Sequence, residues 1–118
     1  MASHIKQGEE GEELAANWLL GKGYKILHRN WRFSHYEIDI IAKKNTMLHF
    51  IEVKCRKSSP FGNPEDAVNR TKFKHMQWAS DAYLRMHPGY RWIQYDVLAI
   101  TLFNNREPEY FLLEDVFL

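Results

Sequence analysis

The stretch MLHFIEVKC, residues 47–55, constrains the fold more than any other part of this chain. Ile51 and Val53 fall on one set of alternate positions, and Leu48 and Phe50 on the other. Successive side chains of a β-strand point to opposite faces, so this strand is apolar on both. Such a strand needs cover on both sides, which predicts a central position in a layered domain. Glu52 and Lys54 lie two apart in the same stretch and therefore share one face. An isolated E-x-K is usually an ion pair on an exposed edge, or a lysine that snorkels to water. In a strand apolar on both faces that pair is costly to bury unless something offsets the cost.

The flanking sequence supplies the layers. Residues 7–21 read as a helix with an apolar stripe of Leu14, Ala15, Trp18 and Leu19, stopped by Gly21 and Gly23. Glu12 falls on or beside that stripe, whereas Glu9, Glu10 and Glu13 read as solvated acids of the first turns. YKILHRNWR (24–32) and YEIDIIA (36–42) read as strands, the second with Glu37 and Asp39 on one face and Ile38 and Ile40 on the other. KKNT turns the chain into residues 47–55. RKSSPFGNP (56–64) reads as a loop, and Asn63-Pro64-Glu65-Asp66 as the start of a helix that runs to about Met86 through Val68, Met76, Ala79 and Tyr83. HPG ends it. Residues 90–103 form a long strand, and EYFLLEDVF a last strand or short helix. The order αβββαββ predicts one α/β (α+β) domain, a size that 118 residues suit.

The hairpin between the second and third strands brings two acids together. If it turns near residues 43–46, Asp39 and Glu52 lie nearly opposite one another. Two carboxylates on adjacent strands repel, and a divalent cation between them removes the conflict. Mg²⁺ takes one or two carboxylates with waters and substrate phosphates. The Val53 carbonyl could add a third oxygen, and Glu12 could hold a metal-bound water or a second ion. Lys54 could stabilise developing negative charge, or orient and deprotonate a water. In outline this is a site for metal-assisted phosphodiester hydrolysis.

Charge distribution suits the same substrate. Net charge is only +1, but residues 22–74 hold 12 of the 16 Lys and Arg against 5 of the 15 acids. A basic middle fits a polyanion as well as it fits a solvated surface. Arg56 and Lys57 follow the acidic strand, and Arg70 and Lys72 lie near the start of the second helix; all four are candidate phosphate contacts. Glu37 reads as an outer or strand-end acid. The six histidines show no paired zinc spacing. The lone Cys55 reads as a small buried residue, Asp96 as a hydrogen-bonded acid, and the four tryptophans as core or interface. One cysteine permits no internal disulfide. No apolar run approaches the roughly 18 residues of a membrane span, and no hydrophobic leader opens the chain. A cytoplasmic protein without membrane contact or organic cofactor is the expectation.

The motif EIDIIA…FIEVKCR resembles the PD-(D/E)xK nuclease superfamily. The wider pattern is more specific: GEEGEELAANWLLGKGYKILHRNWR, EIDIIA, FIEVKCR, EDAVNRTKFKHM and YDVLAI together resemble the YraN-type family of small bacterial proteins, over about residues 8–118. The resemblance implies a restriction-endonuclease-like mixed sheet flanked by helices, similar to Holliday junction resolvases. It implies a functional set of Glu12, Asp39, Glu52 and Lys54, with Mg²⁺ or Mn²⁺ as cofactor and DNA, branched or damaged, as partner. Resolvase-like relatives act as dimers, so it also suggests a homodimer. The family often has Gly before EID where this chain has Tyr36, a change at the entrance turn that leaves Asp39 intact. Two other classes compete with a nuclease. A non-catalytic nucleic-acid-binding or adaptor module would bind DNA with strong salt dependence and without need of Asp39. A dimeric interaction protein would use the tryptophan-rich surface.

Overall fold

The structure, a computed structural model, describes residues 2–58 and 70–116, with side chains from Glu10 onward. Its order is α1 (Ala2–Gly21), β1 (Lys25–Phe33), β2 (Tyr36–Lys44), β3 (Met47–Lys57), α2 (Arg70–Met86), β4 (Trp92–Leu102) and β5 (Glu109–Leu113). This is the expected αβββαββ. The expected helix start at Asn63–Asp66, and Val68 with it, lie outside the described residues.

The five strands lie in chain order, β1-β2-β3-β4-β5, so the doubly apolar β3 is central. It pairs antiparallel with β2 and parallel with β4. A parallel pair needs a long crossover, and α2 lies within that connection. Long pairing with β4 has a second effect. Arg56 and Lys57 are not in a loop; they are the last residues of β3, in register with Thr101 and Leu102. The segment after β4 resolves into a true strand, antiparallel to it.

Each face of the sheet carries one helix and one core. On the α1 side, Ala15 and Leu19 pack with Ile40, Ala42, Ile51, Leu98 and Ile100. On the α2 side, Phe73, Met76, Ala79 and Tyr83 pack with Ile38, Ile41, Leu48 and Phe50. Ile38 and Ile40 therefore serve opposite cores, not one face as simple alternation predicts. The break falls at Asn30 and Asp39, which lie between the register pairs Arg29↔Ile40 and Trp31↔Ile38. Asn30 has φ 53°, a left-handed conformation that interrupts a regular pleat. Asp39 lies at this break, with its carboxylate near those of Glu37 and Glu12.

Candidate metal centre

The ladder between β2 and β3 runs from Lys44↔Met47 to Ile40↔Ile51 and stops there. That register would next oppose Asp39 and Glu52, as the hairpin arithmetic expects. Instead the strands part, and the Val53 N–H donates to Asp39 Oδ2 at 2.8 Å. The Asp39 side chain thus replaces the ladder bond that β3 loses where β2 leaves it.

Carboxylate oxygens of Glu12, Glu37 and Asp39 lie within 4.8 Å of one another, and all three residues are half-buried. Glu12 comes from α1, and two contacts from β1 hold that helix turn in place. Asn30 Nδ2 donates to Glu12 Oε2 at 3.1 Å, and Arg29 pairs with Glu13 at 3.0 Å. Glu37 is held by Arg32 at 2.9 Å. Gly11 makes the helix position attainable. A Cβ there would stand 2.5 Å from Cys55 Cβ and 2.9 Å from its Sγ, so only glycine lets α1 approach β3 this closely.

Glu52 and Lys54 share the α2 face of β3, as their spacing predicts. Glu52 Oε1 lies 3.4 Å from Lys54 Nζ and 3.9 Å from Lys72 Nζ. It therefore sits at the lysine end of the cleft, outside the three-acid group. A cleft of about 210 Å³ is lined by Glu37, Asp39, Glu52 and Lys72 together with Tyr36 and His75. Sequence spacing directs attention to Asp39 with Glu52; the structure adds Glu37 to the carboxylate group and Lys72 to Glu52.

Electrostatics follow from the crowding. Burial, with the charges of Glu52, Glu37 and Glu12, raises the Asp39 carboxyl to about 6, against the opposing pull of the Val53 N–H. Lys54 is raised. Burial is the largest single influence and acts against the ammonium, but Lys72, Glu52 and Asp39 outweigh it. Lys72 is lowered, first by its contact with Lys54 and then by burial. Of the two lysines, Lys54 keeps its proton more firmly.

The remaining basic candidates divide. Arg70 is exposed in the first described turn of α2. Arg56 has the strand parity of Glu52 and Lys54. Lys57 has the opposite parity and lines a separate cleft with Glu10 and Phe103, away from Asp39. Motif spacing marks neither Asn30 nor Arg32. The signal for Asn30 is an asparagine inside a strand, where it is disfavoured unless left-handed backbone is wanted.

Among the described residues, the three-acid group is the single cluster of His, Cys, Asp and Glu with metal-ligating spacing. No helix is long and apolar enough to cross a membrane.

Residues 11–100 match the family model described as Uncharacterised protein family UPF0102. A UPF0102 protein of Phocaeicola vulgatus is 45% identical over 108 residues, covering 92% of this chain and 88% of the relative. One from Thermodesulfovibrio yellowstonii is 44% identical over 99 residues, covering 84% and 88%. One from Flavobacterium psychrophilum is 40% identical over 100 residues, covering 85% and 84%. With the mixed five-stranded sheet and its helix on each face, these matches make the chain a member of UPF0102, the YraN-type family of the PD-(D/E)xK nuclease-like superfamily.

Proposed function

We propose that this chain is a divalent-metal-dependent nuclease that hydrolyses phosphodiester bonds in DNA. The observation that carries the reading is a cleft lined by Glu37, Asp39, Glu52 and Lys72, with Glu12 grouped with the first two acids and Lys54 paired with Glu52. Crowded acids with a raised Asp39 suit a hard cation better than they suit one another. Mg²⁺ or Mn²⁺ fits the all-oxygen donor set, with Asp39, Glu37 and Glu12 as its holders and Glu52 at the lysine side. When bound, such an ion supplies Lewis-acid polarisation of a phosphate and a more acidic water.

The chain's own residues supply the rest. Asp39 is aimed by the Val53 N–H, and Glu12 by Asn30. Lys54, held as an ammonium, stabilises negative charge on the phosphate instead of acting as a base. Glu52 fixes both lysines at the cleft. Lys72 and Arg70 on α2 contact flanking phosphates, a positioning role without sequence preference.

The test is cleavage of branched, tailed and duplex DNA with and without Mg²⁺ or Mn²⁺. Metal-dependent cleavage by the wild type, abolished by chelator and by Asp39→Ala, is the expected result. DNA binding that survives both treatments, with no cleavage of any substrate, would return the chain to the class of non-catalytic binding modules.

A further inference from the structure

Beside the acidic cleft lies a second one, of about 400 Å³, and Tyr36 forms part of the wall of both. Phe33, Trp78 and Arg85 line the second cleft together with Asp81. The rings form one continuous group. Tyr36 lies 4.7 Å from His75 and 5.3 Å from Trp78, and His75 lies 5.8 Å from Trp78, centroid to centroid. Yet the group is not core. Trp78 is 48% exposed and Phe33 38%. Folding alone gives no reason to leave a tryptophan in water next to a charged cleft.

One side of α2 carries the cleft residues Lys72, His75, Trp78, Asp81 and Arg85 in sequence. At 1.5 Å per residue this line runs about 20 Å, with cations at its ends and two rings and the Asp81 carboxylate between. Aromatic faces between positive charges are what a single strand requires: rings for unstacked bases, cations for its phosphates. A duplex cannot use the rings, because its bases are already stacked.

We infer that Tyr36, His75 and Trp78 form a stacking platform for an unpaired nucleobase next to the phosphate held in the acidic cleft, so that the substrate carries a single-stranded segment at that point. This rests on the reading that a nucleic-acid phosphate occupies the cleft beside Asp39. Phe33 and Arg85 extend the platform to a second base and its phosphate. Trp78 is the largest ring of the platform and sets the preference. Tyr36 stands where the two clefts meet, so it separates the flanking base from the phosphate.

The experiment compares a blunt duplex with the same duplex carrying a short single-stranded tail, by fluorescence anisotropy in Ca²⁺. The proteins are the wild type, Trp78→Ala and Trp78→Phe, each checked by thermal melting and by sedimentation. The tail is expected to tighten binding to the wild type by about 10-fold or more. Trp78→Ala loses that gain at unchanged melting temperature, and Trp78→Phe keeps most of it. Equal affinity for tailed and blunt duplex in the wild type overturns the inference, as does a preference that survives Trp78→Ala. A Trp78→Ala change from dimer to monomer with the tail preference intact also overturns it, and gives the rings to a second copy of the chain. Asp39-dependent cleavage without tail preference removes the platform and leaves the nuclease; tail preference without cleavage keeps the platform and removes the nuclease.

Discussion

Asp39 takes part in almost every relation that defines the site. Its folded pKa of about 6 lies above the ordinary value of 3.8, because burial and three neighbouring acids disfavour its charge. A raised carboxyl holds its proton more tightly in the folded state. Its contribution to stability is therefore fully present below about 3.8 and is lost as pH rises through about 6. Near neutral pH the metal-free protein carries an unfavourable charge worth about 3 kcal/mol at most. Asp39→Asn retains an oxygen to accept the Val53 N–H and removes that charge. It is expected to raise the melting temperature of the metal-free protein at pH 7–8 and to leave it little changed near pH 4. A metal must displace the proton, so Mn²⁺ affinity measured by calorimetry should fall as pH drops through about 6. A flat profile across that range would show that Asp39 is not a ligand.

At the scale of elements, the site depends on how α1 is set against β1 and β3. Asn30 performs two functions, a left-handed backbone that breaks the pleat and a side chain that holds Glu12. Asn30→Gly keeps the first and loses the second. It should weaken Mn²⁺ binding while changing stability by less than about 1 kcal/mol. Asn30→Ala loses both and should cost about 1 kcal/mol in addition. Gly11 sets the distance between helix and sheet. Gly11→Ala places a methyl group 2.5 Å from Cys55 Cβ, and that atom is fixed to the β3 backbone, so α1 must move outward and carry Glu12 with it. A loss of about 1–3 kcal/mol in chemical denaturation is expected. Cys55→Ala should not restore it, because the obstructing Cβ remains, whereas Cys55→Gly should restore part.

For the whole molecule, a second polar group sits deep in the sheet and has a different purpose. Asp96 is fully buried in β4 and accepts from three directions: His49 Nδ1 is 2.6 Å from Oδ2, and Gln94 Nε2 and the Asp115 N–H reach Oδ1 at 2.8 and 3.0 Å. It links β3, β4 and the segment after β5, whose Val116 N–H also bonds the Tyr95 carbonyl. This is the hydrogen-bonded acid expected from its apolar strand. Asp96→Ala leaves those donors unanswered in the interior and should cost about 3–5 kcal/mol. Mn²⁺ affinity of the fraction that remains folded should be unchanged, because Asp96 lies outside the acidic cleft. A loss of metal binding at full folding would contradict that separation.

What was legible in the sequence was periodic. The doubly apolar Met47–Cys55 demanded a central strand, and the helical stripe of Leu14, Ala15, Trp18 and Leu19 demanded a sheet to cover. The hairpin register that opposes Asp39 and Glu52 could be counted from a turn. These follow from alternation and pitch, which are local properties of the backbone. The site's membership was not local. Glu37 and Asp39 share a face by alternation, but Glu12 joins them only because α1 packs on the sheet, where the Asn30 side chain holds it. Lys72 meets Glu52 because a crossover helix lands on the same face of β3. Trp78, which composition assigns to core or interface, stays in water because α2 buries Phe73, Met76 and Tyr83 and turns the adjoining side outward. A strand pattern specifies which residues share a face; the packing of helices on that face decides which side chains from distant parts of the chain meet there.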